Sequence, residues 1–150
     1  SISMFVSEVI YRTVREVEPN LELYDFLENS IRLLDIMHEG AANFHLVFLI
    51  QLTRYLGFYP ANGWSENSPF FDYKNGLFCL SPPSHSFYLD ATSSRRLGML
   101  LSTPFYKSNE ITLNHAQRVQ AINDLLSYYN FHLGSPLDFK TLPILIQLFQ

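Results

Sequence analysis

The segment from Phe44 to Leu52, FHLVFLIQL, is apolar on nearly every side when wound as a helix. A helix without a polar face cannot lie on a surface; it has to be central, with the rest of the chain packed around it. The pattern predicts this helix over about 42–56, with Gly57 as its left-handed cap and Pro60 forbidding continuation. A chain of 150 residues is long enough to wrap such a helix in one domain and too short to expect two.

The wrapping elements are amphipathic. Phe5, Val9, Ile10, Val14 and Val17 recur at helical spacing over about 2–17, before Pro19. A second helix, about 21–37, carries a stripe of Leu23, Phe26, Leu27, Ile31 and Leu34, with Gly40 just past its end. After Asp90, which suits an N-cap, Leu97, Leu100 and Leu101 mark a short helix ending before Pro104. A longer one, about 114–133, presents Val119, Ile122, Leu125, Leu126 and Tyr129, and Gly134 stops it. A last apolar helix is expected at about 142–149. Between about 61 and 88 the helical period breaks. There, Phe70–Tyr73 and Leu77–Leu80 flank Lys74-Asn75-Gly76, and Asn-Gly between two such runs signals a two-stranded hairpin with positive φ at both central residues. The expected fold class is all-α, a helical bundle with one small inserted β-hairpin.

Charged residues make up only 16% of the chain and aromatics 15%, so part of the apolar surface is expected to face a partner or a missing domain. The net charge of −4 argues against strong DNA binding by this segment alone, because phosphate neutralisation supplies most of such affinity. One cysteine excludes an intrachain disulfide and fits a reducing, cytoplasmic setting. No signal peptide is visible, and the longest apolar run is far short of the roughly 20 residues a membrane span needs. The chain begins inside a helical pattern, as a fragment of a longer protein would.

Three segments, in order, resemble one family. SISMFVSEVIYRTVREVEPN with LYDFLENSIRLLD is similar to the two helices that follow the N-terminal OB domain of the recombination mediator RecO family. FHLVFLIQLTRYLGFYP is similar to that family's central helix, and LLSYYNFHLGSPLDFKTL to its C-terminal helix. The resemblance spans nearly the whole chain and is closest to the form of Bacteroides-like bacteria. It implies that 1–150 is the C-terminal helical domain, without the OB domain. It further implies a non-enzymatic role in DNA repair and recombination: helping load recombinase onto single-stranded DNA coated by single-stranded DNA-binding protein, and annealing strands. RecR, the acidic tail of single-stranded DNA-binding protein and in some bacteria RecF are the implied partners, with single-stranded DNA held mainly by the OB domain. An unrelated helical ligand-binding or regulatory domain is the competing reading.

In many members of the family this hairpin holds zinc through two Cys-x-x-Cys pairs. Here only Cys79 remains; its mate falls at Pro82, and the stretch where the first pair belongs reads Trp64, Ser65, Glu66, Asn67. A zinc-ribbon-like loop that has degenerated is therefore expected to have no cofactor, with Phe70, Phe71, Tyr73, Phe78, Phe87 and Tyr88 anchoring it instead. His85 cannot close a tetrahedral site with Cys79 alone. Cys79, His85 and Asp90 offer the residue types of a nucleophilic centre, but no nucleophile signature surrounds them, and the five histidines have no metal spacing. His132, at a helix end, suits the negative pole of the helix dipole.

For the acidic, aromatic-ended tail, the resemblance implies an apolar pocket with a cation at its rim. The candidates are Leu46, Ile50 and Arg54, with His45 as a second cation, set against the plainer reading that Leu46 and Ile50 are core. Arg95 and Arg96, with Lys107 and Arg118, are candidates for touching DNA phosphates or RecR, set against an ordinary solvated face.

Overall fold

The computed structural model describes Met4, Ser7, Glu8 and residues 21–37, 43–61 and 63–134. Met4, Ser7 and Glu8 are helical. The helices expected at 142–149 and over the rest of 2–17 lie outside the described residues, as does Gly40.

Four helices are built as the apolar spacing requires: α1 is Leu21–Ile36, α2 is Phe44–Leu56, α3 is Ala91–Leu101 and α4 is His115–Leu133. A 3-10 turn, Phe105–Glu110, joins the last two. α2 sits at the centre and packs against α1, α3, α4 and the 3-10 turn. Phe44 through Ile50 and Leu52 are all buried. Taking each of the apolar side chains among them out of water contributes about 1.5–3 kcal/mol. Gly57, at φ 96°, ends α2 by donating its N–H to Thr53 O. Asp90 caps α3 through Ser93 N–H, and Asn114 with Gln117 forms a reciprocal capping box on α4.

α1 departs from its expected stripe. Leu23, Leu27 and Ser30 are buried, whereas Ile31 is exposed. Ser30 is tolerated inside because its hydroxyl donates to Phe26 O one turn back, at 2.7 Å. The rest of the stripe packs inward, and Phe26 stacks on Phe48 and Tyr55 of α2.

The inserted element is larger than a two-stranded ribbon. It is a three-stranded antiparallel sheet in the order β2-β1-β3, with β1 Phe70–Asp72, β2 Leu77–Cys79 and β3 Tyr88–Leu89. The hairpin loop is also not the expected two-residue turn. Asp72 pairs with Leu77, so four residues, Tyr73–Gly76, make the loop. Gly76, at φ 64°, donates its N–H to Asp72 O to close it. Asp72 holds the turn from inside: its carboxylate accepts from Lys74 N–H, Asn75 N–H and the Asn75 side chain. Phe71 and Phe78 point into the core beside Tyr128.

The sheet is fastened to the bundle by three polar ties. Ser94 of α3 is buried; its Oγ accepts from Phe71 N–H and donates to Leu89 O. Tyr73 Oη donates to Asp124 O, and His132 Nε2 donates to Tyr73 O at 2.8 Å. His132, in the last turn of α4, thus also ties down the hairpin. Phe58 stacks on the His132 ring, with centroids 4.9 Å apart.

A candidate interaction groove

The residues expected to form a tail pocket do not meet at the surface. Leu46 and Ile50 are core, and His45 is completely buried. Burial, aided by the nearby Arg118 charge, lowers His45 to about 3, so it is neutral and is no rim cation. The physical reason is the one that placed α2 at the centre: its apolar surround covers every face that these three residues occupy. Arg54 is exposed, and two of its nitrogens are engaged locally. Nε reaches Gln51 Oε1, Nη2 reaches Tyr59 Oη, and the guanidinium lies over the Tyr59 ring at 4.0 Å. Ile50 does border an internal cavity, with Phe71, Leu97, Asp124 and Tyr128. Its volume is about 20 Å³. That is room for about one water, not for a side chain.

Arg95 and Arg96 are brought together. Both line an open groove of about 530 Å³ on the outer side of α3, whose apolar walls are Trp64, Met99 and Leu113 and whose far edge is Gln117. Arg95 lies over the Trp64 ring, 5.4 Å from its centre. Arg96 also borders the internal cavity, where its charge acts on Asp124. Burial raises the Asp124 carboxyl above its ordinary value; bonds from Gln120 and Ser93 and the charge of Arg96 offset part of that effect, and Asp90 adds to it. Two covered donors at this groove, Trp64 Nε1 and Arg96 Nη1, have no acceptor among the described residues. No acidic side chain among the described residues lines it. Arg118 stands behind it, half-buried, with Nη1 donating to Leu113 O. Lys107 belongs to a second open hollow that shares Met99, Ser102 and Thr112 with the groove.

Trp64, Met99, Leu113 and Gln117 carried no signal that sequence reasoning had used. Trp64 was noted only as a place where a thiolate is missing. Its seat on α3 is Gly98, where an added Cβ would come within 2.4 Å of the Trp64 Cβ. A lone tryptophan and a glycine inside an amphipathic helix are the two residues that point to such a contact.

At the ribbon, Asp72, Cys79 and His85 are the groups of ligand type. Burial acts to raise the Asp72 carboxyl, but bonds from Asn75 and Lys74 and the His85 ring outweigh it, so the carboxyl is held below its ordinary value. Burial and the charge of Asp72 push the Cys79 thiol up. Among the described residues, no three His, Cys, Asp or Glu side chains converge as a metal-binding set. Among the described residues, too, no helix is long and apolar enough to cross a membrane.

Comparison with known proteins assigns the chain. The family model described as "Recombination protein O C terminal" matches residues 1–140. A DNA repair protein RecO of Azobacteroides pseudotrichonymphae is 32% identical over 149 residues, and one of Phocaeicola vulgatus is 34% identical over 149; each alignment covers 99% of this chain and 62% of the relative. One of Flavobacterium psychrophilum is 35% identical over 150 residues, covering 99% of this chain and 61% of the relative. The chain thus spans about three-fifths of the length of the curated relatives it matches. No solved structure matches it. On the family match over 1–140 and these relatives, the chain belongs to the family of the C-terminal region of recombination protein O.

Proposed function

We infer that this chain is the helical module of a recombination mediator, working in DNA repair by contact rather than by catalysis. In this reading the whole protein helps load recombinase onto single-stranded DNA coated by single-stranded DNA-binding protein and anneals complementary strands. Its partners are RecR, the acidic tail of single-stranded DNA-binding protein and, in some settings, RecF. Single-stranded DNA is held mainly by an OB domain outside this sequence, and the setting is the cytoplasm. The competing idea, a helical domain of unrelated origin, gives way to the family match.

The groove beside α3 carries the reading. A chain of net charge −4 sets two arginines and an indole around one hollow free of acidic side chains among the described residues. An acidic, aromatic-ended peptide has the complementary chemistry: carboxylates for Arg95 and Arg96, and a ring for the wall of Trp64, Met99 and Leu113. Cys79 is a poor candidate nucleophile, since burial and the Asp72 charge push its thiol away from ionisation.

Trp64 is the sole tryptophan, so its fluorescence reports on the groove directly. Titrating full-length protein with the tail peptide is expected to change that emission, with affinity falling as salt rises and about tenfold or more lost on amidating the terminal carboxylate. The Arg95→Ala, Arg96→Ala pair should weaken binding similarly. Binding that leaves Trp64 emission unchanged would move the tail elsewhere. A full-length protein that neither anneals strands nor binds RecR or the tail would overturn the mediator reading.

A further inference from the structure

The family resemblance implies a zinc ion at the ribbon, and a zinc site needs four groups with lone pairs turned toward one point. In this ribbon each group of ligand type already makes at least one hydrogen bond. The Asp72 carboxylate accepts from Lys74 N–H at 2.8 Å and Asn75 N–H at 3.3 Å through Oδ1, and from Asn75 Nδ2 at 2.8 Å through Oδ2. His85 Nδ1 accepts the Phe87 N–H at 3.0 Å. A neutral imidazole that accepts at Nδ1 carries its proton on Nε2, so neither nitrogen has a lone pair free for a metal. That Nε2 stands 3.0 Å from Asp72 Oδ1, in a bent, close contact. The Cys79 sulfur lies 3.4 Å from Phe70 O and 3.3 Å from Ser81 O, the surroundings of a thiol that donates rather than a thiolate that ligates.

These contacts join two stretches that no covalent cross-link ties together. Asp72 ends β1 at the mouth of the hairpin turn, and His85 lies in the loop over 80–87 that returns the chain to β3. Beside the pair, Tyr73 N–H donates to Phe87 O, and the Phe87 ring packs on Phe131 of α4. The carboxylate and the imidazole thus sit where the returning loop is pinned against the turn. We propose that the Asp72–His85 pair is a metal-free clasp, closing the ribbon where the family resemblance implies an ion, so that this ribbon orders without zinc.

The clasp does not depend on what binds the α3 groove. Full-length protein purified from zinc-supplemented cells should carry less than ~0.1 zinc per chain, and excess chelator should move its Tm by less than about 1 °C. In His85→Ala, hydrogen exchange at the Lys74 and Asn75 amides should rise about tenfold or more, because the turn loses its brace. Cys79→Ala should leave those amides as they were, which distinguishes the clasp from a thiolate site. Stoichiometric zinc, or melting of the ribbon by chelator, would overturn the proposal without any variant having to fold. Wild-type exchange at Lys74 and Asn75 in His85→Ala would overturn it as well.

Discussion

His45 is a histidine stored where a proton cannot follow. Its value of about 3 lies below the 6.5 of an unfolded chain, so between those limits the unfolded state binds the extra proton. Stability is therefore untouched above pH 6.5 and falls as pH drops toward 3, with a slope of up to about 1.4 kcal/mol per pH unit from this residue. Urea unfolding at a series of pH values should show that slope, and His45→Gln should flatten it at some cost to packing. Gly98 makes the opposite kind of demand. Alanine is normally favoured over glycine within a helix by about 1 kcal/mol, but here its Cβ would meet the Trp64 Cβ at 2.4 Å. The clash should win: Gly98→Ala is expected to cost about 1–3 kcal/mol and to red-shift tryptophan emission as Trp64 is pushed out. Trp64→Ala would not rescue it, since the colliding atom is retained; Trp64→Gly would.

At the scale of elements, the sheet depends on one hydroxyl of α3. Ser94 satisfies Phe71 N–H and Leu89 O together in a buried place, so Ser94→Ala leaves a strand donor without a partner. The expected loss is about 1–3 kcal/mol in chemical denaturation, with amide exchange rising first at Phe71. Ser94 also shows why some elements were readable in the sequence and others were not. α2 was legible because an all-round apolar segment has a single place to go. α3 was legible because Asp90 announces its start, and α4 because its apolar residues recur at helical spacing up to Gly134. β3 was not: Tyr88 and Leu89 become a strand only by pairing with Asp72 and Phe71. Nor was the 3-10 turn at Phe105–Glu110, which follows Pro104 and is shaped by Phe105 docking edge-on against Phe44. Ile31 was misplaced because Ser30 can enter the core by bonding back to its own helix.

Across the whole molecule, family and bundle could be recognised from the order of weak core patterns, whereas the interaction surface could not. The same apolarity that marked Leu46 and Ile50 as a possible pocket is what seals them inside. Arg95 and Arg96 stood out as cations, but Trp64, on a distant loop, joins them only once the chain has folded. A second global property follows from the phenols in the bundle. Tyr129 donates to Leu49 O and Tyr128 to Phe58 O, each linking α4 back to the middle of the chain. Burial raises Tyr73, Tyr128 and Tyr129 above the ordinary tyrosine value, Asp124 adding to it at Tyr73 and Tyr128 at Tyr129. In alkali, then, these three phenols should resist ionisation. Phenolate is followed by its near-ultraviolet absorbance. For these three it would appear only when the bundle itself comes apart, making the colour change of the last tyrosines a spectroscopic record of global unfolding.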